Sequence, residues 1–325
     1  MSILLPGLDK IEAAAQLIYR TMPATPQYTW PLVNARAGAE VWVKHENHTQ
    51  VGAFKVRGGL VYLDWVRREL PEVTTVVSAT RGNHGQSIAL AAAKQGIRAV
   101  LVVPFGNSVE KNRAMQALGA ELIEFGKDFQ AASEHAEHLA EEHGWHRVPN
   151  IDLRIVTGVA TYGLELFSAC RELETVYVPI GMGSGICGTI AARNALGLST
   201  KVVGVVSSLA PAYALSFAAG EVREHETRTA IADGMACRKP DWGALEVMRA
   251  GLDRIITVDD DEVKAAMRFY FADTHNVAEG SGAAGLAAIL KDRGAGGACV
   301  GTVLTGGNVN SEVFSEVLGN AMCIA

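Results

Sequence analysis

The sequence predicts an α/β protein built from mostly parallel sheets that helices cover on both faces. Short, continuous apolar runs typical of buried strands alternate with helical runs along most of the chain. Polar or glycine-rich segments follow several of the predicted strands. The chain has 325 residues, of which 49% are hydrophobic and 20% charged. It can therefore bury a sizeable core in one large or two moderate domains.

In the first half of the chain, strands and helices alternate strictly. Ser108 is suited to cap a helix at its N-terminus, and Gly96 and Gly119 are suited to end helices. With these limits we predict strands at 74–78, 98–103 and 121–125, and helices at 86–95, 108–118 and 129–142.

The same alternation resumes in the second half of the chain. We predict strands at 176–180, 201–206, 254–258 and 299–304, with helices between them. Crossovers between such parallel strands are right-handed by default. The pattern favours a small domain at 71–151 and a large domain formed by 1–70 and 152–325.

Composition excludes several classes of protein. The net charge is −6 and no Lys/Arg cluster is long enough for a nucleic-acid surface, so we expect no nucleic-acid partner. The apolar stretch 88–104 is interrupted by charged residues, and the first residues do not form a signal peptide, so we expect no membrane association. An odd number of scattered cysteines without a CxxC pair favours a reducing, cytoplasmic location. They are Cys170, Cys187, Cys237, Cys299 and Cys323.

Lys55 is the first candidate functional residue. It lies in the stretch 45–59 among apolar and small residues, where its amine can be desolvated. A desolvated amine loses its proton more easily and becomes a nucleophile. A lysine that extends its ammonium to water remains the alternative interpretation.

A glycine-rich turn follows the strand predicted at 176–180. The segment 181–188 leads into a helix, and converging N–H groups at such a place can hold a phosphate without a lysine. The alternative is an ordinary tight turn. No GK[ST] ends the segment, and Ser207 and Ser208 stand where a dinucleotide site has an acidic residue.

Two further segments follow predicted strands. The segment 78–87 offers hydroxyls, an amide and backbone donors at the start of a helix, which suits a substrate carboxylate. The segment 304–308 closes the last strand, and its Thr305 hydroxyl can form a hydrogen bond with a ring nitrogen. A capping loop and a simple turn are the respective alternatives.

These four segments, in this order, resemble the fold-type II pyridoxal-phosphate (PLP) enzymes, and most nearly the threonine/serine dehydratases. The resemblance covers nearly the whole chain. The matching motifs are 54–58 for the cofactor lysine, 82–85 for the substrate loop, 181–185 for the phosphate, and 305–308 for the pyridine nitrogen, with further landmarks at 231–234 and 279–283. The resemblance implies a tryptophan synthase β-like fold of two three-layer α/β domains, a mobile small domain and a homodimer.

The resemblance also implies the site residues. Lys55 would hold the cofactor covalently and then act as the general base. The cofactor would be bound by Lys55, Phe54, Asn83, Gly181, Met182, Gly183, Ser184, Gly185, Glu279 and Thr305. The amino-acid substrate would be bound by Thr80, Arg81, Gly82, Asn83 and His84.

The implied reaction is β-elimination from a β-hydroxy-α-amino acid, with threonine or serine as the default substrate, giving a 2-keto acid and ammonia. The neutral hydroxyl of Thr305 favours elimination, because it cannot keep the ring nitrogen protonated as a carboxylate would. The alternative substrates are 3-phenylserine and 3-hydroxyaspartate. Less favoured are a β-replacement synthase, a racemase and a non-catalytic PLP-binding protein.

Two departures from the family pattern modify these expectations. Arg81 stands where racemases have a serine, and an arginine cannot accept a proton, so we expect little racemase activity. Relatives with a cation site have a glutamate after the strand predicted at 201–206, where this chain has Ser207. Asp233 alone is a poor cage for a divalent ion, so we expect no metal. Because its spacing is not HExxH, we interpret the histidine-rich helix at 129–142 as a solvated surface.

Overall fold

A computed structural model describes residues 4–319, so Cys323 lies outside the described part of the chain. Two sheets organise the fold. The six-stranded sheet has the order β1-β2-β10-β7-β8-β9, in which only β1 is antiparallel to its neighbour. Its strands are β1 (Gln27–Thr29), β2 (Glu40–His45), β7 (Thr175–Pro179), β8 (Lys201–Ser207), β9 (Arg254–Val258) and β10 (Cys299–Leu304).

The four-stranded sheet has the order β5-β4-β3-β6 and is parallel throughout. Its strands are β3 (Thr75–Ala79), β4 (Arg98–Val103), β5 (Glu121–Glu124) and β6 (His146–Arg147). All four strands lie within residues 75–147, between two stretches that contribute to the larger sheet.

Thirteen α-helices are described within residues 4–319. They are α1 (Leu8–Tyr19), α2 (Pro31–Ala37), α3 (Lys55–Glu69), α4 (Asn83–Gln95), α5 (Val109–Ala117), α6 (Phe129–His143), α7 (Leu153–Ala169), α8 (Ser184–Ala195), α9 (Ala212–Ala219), α10 (Trp242–Gly251), α11 (Asp260–Thr274), α12 (Gly280–Lys291) and α13 (Ser311–Gly319). Short 3₁₀ turns occur at Glu46–His48 and Asp233–Met235. None of these helices has the length and apolar character needed to cross a bilayer.

The four-stranded sheet shows why continuous apolar strands indicate helices on both faces. Every residue of β3 is buried. Val76 belongs to the core formed with α3 and α4, whereas the next residue, Val77, belongs to the core formed with α6. Successive side chains of a strand point to opposite faces, so both faces of this sheet need apolar residues.

The larger sheet is covered in the same way. Val203 and Val205 of β8 pack into the core that includes α11 and α12. Val202 and Val206 of the same strand pack into the core that includes α7, α8 and α10. The two helical layers and the sheet between them form the three-layer arrangement that the sequence predicts.

All seven predicted strands form, each within one residue of its predicted bounds. Three strands were missed. β1 and β6 are too short to form a pattern, and β2 ends in Lys44 and His45, two polar residues that are buried. The helix predicted at 86–95 begins earlier, at Asn83, because part of the predicted loop forms its first turn.

Candidate active site

The two sheets meet at a cavity of about 140 Å³. Because the motifs follow parallel strands or begin helices at the same edge, the fold brings all of them to this one place. Every residue proposed from the sequence for cofactor or substrate lines the cavity: Phe54, Lys55, Thr80, Arg81, Gly82, Asn83, His84, Gly181, Met182, Gly183, Ser184, Gly185, Glu279 and Thr305. The structure thus places these residues together, while their individual roles stay predictions.

Lys55 is the first residue of α3, and its amine lies in the cavity wall. Its Nζ donates a hydrogen bond to Ser184 Oγ at 3.0 Å. Burial lowers the pKa of Lys55 to about 8, and the nearby Glu279 carboxylate only partly opposes this effect. About a tenth of the amine is therefore unprotonated at pH 7, far more than at the ordinary pKa of lysine, and the unprotonated amine is the nucleophile.

The glycine-rich turn joins the end of β7 to the start of α8. Gly183 has a φ of +105°, a left-handed conformation that favours glycine. At Gly181 a Cβ would come within 2.1 Å of the Gly234 carbonyl oxygen, so the turn packs directly on the Asp233–Met235 turn. The first N–H groups of α8 have no partner within the helix, and they make this turn suitable for a phosphate.

Phe54 connects the lysine motif to the other segments. Its N–H donates to the Thr305 carbonyl oxygen at 3.0 Å, which fixes α3 against the end of β10. Its ring lies edge-on to Tyr162 with centroids 5.9 Å apart. The Tyr162 hydroxyl in turn donates to the Gly185 carbonyl oxygen at 2.7 Å. The lysine, the last strand and the glycine-rich turn are therefore held in one arrangement.

Glu279 is buried beside the substrate loop. Asn83 Nδ2 donates to Glu279 Oε1 at 2.6 Å, and Asn308 Nδ2 donates to Asn83 Oδ1 at 2.8 Å. Burial raises the pKa of Glu279 to about 7, although the Lys111 ammonium acts in the opposite direction. This carboxyl group can therefore change its charge near neutral pH.

The substrate loop is organised by Thr80. Its hydroxyl oxygen accepts hydrogen bonds from the N–H groups of Gly82 at 3.0 Å and Gly85 at 2.9 Å. Arg81 is exposed at the cavity rim and forms no ion pair with any residue between 4 and 319. Burial lowers the pKa of His84 to about 3, so its imidazole is neutral.

The sequence does not predict the ion pair that two residues of the site, Lys111 and Asp233, form. Lys111 of α5 lines the cavity, and its Nζ lies 2.8 Å from Asp233 Oδ2 and 3.8 Å from Glu279 Oε2. From the sequence, Asp233 is part of the 231–234 landmark and too little on its own to hold a divalent ion. No local signal could have found this pair, because a lysine in the first turn of a polar helix is typically exposed.

Nothing in the described structure suggests a metal centre. Between residues 4 and 319, no group of three His, Cys, Asp or Glu side chains could hold an ion. Ser207 stands where relatives with a cation site have a glutamate, and its hydroxyl accepts a hydrogen bond from the Leu209 N–H.

The fold and the cavity define a class of enzyme. A family model described as "Pyridoxal-phosphate dependent enzyme" matches residues 19–306. The chain therefore belongs to the family of pyridoxal-phosphate-dependent enzymes, which confirms the predicted family, fold class and cofactor.

Individual members of this family are similar to the chain over nearly its whole length. The chain is 30% identical over 316 residues to the L-threonine ammonia-lyase of Thermotoga maritima, covering 97% of this chain and 79% of the relative. It is 29% identical to the L-threo-3-hydroxyaspartate ammonia-lyase of Saccharomyces cerevisiae, covering 97% of both. The solved structure of maize serine racemase is similar with a TM-score of 0.90 and 27% identity, covering 97% of this chain and 98% of that one.

The cavity fits the cofactor. Three buried polar atoms of its lining have no hydrogen-bond partner among residues 4–319: His84 Nε2, Glu279 Oε2 and Ser281 Oγ. Buried polar atoms are rarely left unpaired, so these atoms indicate a polar ligand. A primary amine for an aldehyde, a helix N-terminus for a phosphate and a hydroxyl for a ring nitrogen complete a suitable donor set.

Proposed function

We propose that this protein is a PLP-dependent ammonia-lyase that acts on a β-hydroxy-α-amino acid, with threonine or serine as the default substrate. The observation that carries the proposal is the position of Lys55. Its partly deprotonated amine lies 3.0 Å from Ser184 in the glycine-rich turn and faces the same cavity as the substrate loop. Relatives named as ammonia-lyases support this reaction class.

Different groups of the protein carry out different parts of this reaction. PLP, when bound, supplies the electron sink. Lys55 removes the proton from the substrate Cα, while the 80–84 loop holds the carboxylate. The Cα–H and Cβ–O bonds break, a C=C bond forms and the hydroxyl leaves as water. The released unsaturated amine then takes up water and yields a 2-keto acid and ammonia.

Thr305 favours this outcome over transamination. The residue is buried at the end of β10, where the resemblance places the pyridine nitrogen. A neutral hydroxyl cannot keep that nitrogen protonated, so negative charge on Cα is poorly stabilised. Elimination relieves the charge by expelling the β-substituent.

Within this class, the candidate substrates differ in their side chain. The relative named L-threo-3-hydroxyaspartate ammonia-lyase makes an acidic substrate the main alternative, and the exposed Arg81 at the rim is compatible with a second carboxylate. A 3-phenylserine substrate remains the aromatic alternative. All these substrates share the β-hydroxyl group that elimination requires.

A substrate panel tests the proposal. The holoenzyme is incubated with L-threonine, L-serine, 3-hydroxyaspartate and 3-phenylserine, and 2-keto acid and ammonia are measured. We expect equal amounts of both products from at least one substrate, and none with Lys55→Ala. If none of the four substrates yields 2-keto acid and ammonia, the result would indicate a non-catalytic PLP-binding protein. Sulfide consumption with O-acetylserine would instead indicate a β-replacement synthase.

A racemase is the second candidate function, because maize serine racemase is structurally similar. Racemisation needs a proton donor on the face of Cα opposite Lys55, and it must also accept a proton in the reverse direction. Arg81 cannot accept one. We therefore expect D-serine to form far more slowly than pyruvate from L-serine, as a chiral assay would measure. Comparable rates would contradict this expectation.

The molecular organisation is also a proposal. We assign residues 71–151 to a small mobile domain and residues 1–70 and 152–325 to a large domain, since the four-stranded sheet lies within 75–147. We further propose a cytoplasmic homodimer, as the family resemblance implies. Sedimentation of the holoenzyme tests the dimer, because a monomer and a dimer of this 34.5 kDa chain separate clearly.

A further inference from the structure

We infer that Lys111 is a further substrate-binding residue, and that its ammonium pairs with the substrate α-carboxylate at the 80–84 loop. The inference rests on the proposed function, because it requires an amino-acid substrate. It gives a role to the one buried lysine of the cavity that the proposed reaction does not use.

Lys111 reaches the loop by crossing over Gly82. A Cβ on Gly82 would lie 2.5 Å from Lys111 Cδ, so only glycine leaves the space that the lysine stem occupies. The Lys111 side chain is 10% exposed, and it lines the cavity. The stem is thus held against the loop, and the ammonium lies where a carboxylate on this loop would approach.

The surroundings keep Lys111 charged. Burial lowers the pKa of Lys111, but the carboxylates of Glu279 and Asp233 outweigh this effect and leave the pKa raised. Asp233 also lines the cavity, and its carboxylate lies 2.8 Å from the Lys111 ammonium. The ammonium already contacts one carboxylate, so a substrate carboxylate would share the ammonium with Asp233 or replace Asp233 on it.

The 80–84 loop offers hydrogen-bond donors to a substrate carboxylate but no buried full positive charge. The N–H groups of Gly82 in the loop and of the adjacent Gly85 are already bonded to the Thr80 hydroxyl. Lys55 must be uncharged to act as a base. Arg81 is exposed at the rim, where water weakens its interaction with an anion. Lys111 is the remaining cation among the residues that line the cavity.

A comparison of two ligands tests the inference without turnover. L-Alanine and L-alaninamide carry no β-leaving group and differ at the carboxylate, and the absorbance of the bound cofactor reports their affinities for the holoenzyme. We expect Lys111→Met to reduce the preference for alanine over alaninamide by about tenfold or more, since a charge-assisted hydrogen bond has on the order of this effect.

Asp233→Asn is the matched control, because it removes the ion pair and keeps the ammonium. We expect this variant to retain the preference for alanine. If Lys111→Met also retains it, or if both variants lose it equally, the inference is overturned, and in the second case the ion pair has only a structural role. Should Lys111→Met fail to fold, Lys111→Gln and Lys111→Arg replace it, and only the arginine variant should keep the preference.

The proposed function can fail separately. If the wild-type holoenzyme prefers alanine but releases no keto acid from any hydroxy amino acid, the lyase proposal fails while the role of Lys111 stands. If the wild-type enzyme releases keto acid and Lys111→Met keeps its carboxylate preference, only the role of Lys111 fails.

Discussion

At the scale of single residues, the burial of Lys55 has two opposite consequences. It lowers the pKa of the amine to about 8, which supplies a nucleophile, and it destabilises the protonated form in the folded protein. In the unfolded chain lysine has its ordinary pKa, 10.5. Between these two pH values the unfolded state binds more protons, so stability rises with pH. Below about pH 8 the destabilisation is fully present.

Replacement of Lys55 should therefore stabilise the cofactor-free protein. For Lys55→Met we expect the free energy of unfolding at neutral pH to increase by up to about 3 kcal/mol, because the shift of the pKa corresponds to that amount. The gain should shrink as the pH rises from about 8 towards 10.5. Urea titrations at several pH values measure it. Lys94→Met, at an exposed position on α4, is the control and should change little; equal stability of the wild type and Lys55→Met at neutral pH would contradict the prediction.

At the scale of elements, buried ion pairs anchor the first turn of α3. Arg57 Nε lies 2.7 Å from Glu46 Oε2, and its Nη1 lies 2.6 Å from Glu165 Oε1 on α7. Lys44 of β2 also contacts Glu165, at 2.5 Å. Two cations and two carboxylates thus balance in a buried site. This network joins β2, α3 and α7 two residues from Lys55.

Loss of one member of this network should be costly. Arg57→Met leaves two buried carboxylates with a single cation, so we expect a loss of on the order of 3–5 kcal/mol in the free energy of unfolding. Arg68→Met on the same helix removes an ion pair whose arginine side chain is 61% exposed, and it should cost less than about 1 kcal/mol. Urea denaturation compares the variants. Similar values for both would show that the buried network does not anchor the helix.

The glycine-rich turn makes a second prediction at this scale. Gly183→Ala should lower the affinity for PLP by about tenfold or more. The new Cβ would require a left-handed alanine and would lie 2.7 Å from Ala244 Cβ, which displaces the turn. Gly197→Ala is the control, since Gly197 is also left-handed but has no atom within 4 Å of the place that the added methyl group would occupy. Titration of the cofactor-free variants with PLP measures both affinities; equal loss in the two variants would assign the effect to backbone strain alone.

At the scale of the whole molecule, the sequence predicts which residues form the site better than it predicts the ion pairs that hold the site together. A motif that follows a predicted parallel strand can be placed at the site from the sequence alone, because parallel strands end at a common edge. Lys44, Glu46 and Arg57 carry no such signal, since charged residues in sequence are typical of a surface. The pairing of Lys111 with Asp233 depends on how the two sheets face each other, which no local pattern encodes.

Three polar contacts join the start of α5 to residues of the larger region. Lys111 pairs with Asp233, the Ser108 hydroxyl donates to Asn310 Oδ1, and Glu110 Oε1 accepts from the Ser311 N–H at 2.9 Å. The contact between Glu110 and Ser311 is exposed, where interactions are individually weak, whereas the Lys111 side chain is only 10% exposed. The three contacts form a polar seam beside the apolar core that α3 and α4 share, which contains residues of both regions.

Ligand binding should therefore slow hydrogen exchange selectively in this seam. When L-alanine is added to the holoenzyme, we expect amide exchange in α5 to slow, because a ligand in the cavity contacts both regions and favours their closed arrangement. Exchange in β7 and β8 should be unchanged, since these strands lie in the core of the larger sheet. Exchange measured by mass spectrometry with and without L-alanine provides both values. Unchanged exchange in α5, at alanine concentrations that saturate the absorbance signal, would contradict a mobile small domain and would indicate that the two regions move as one body.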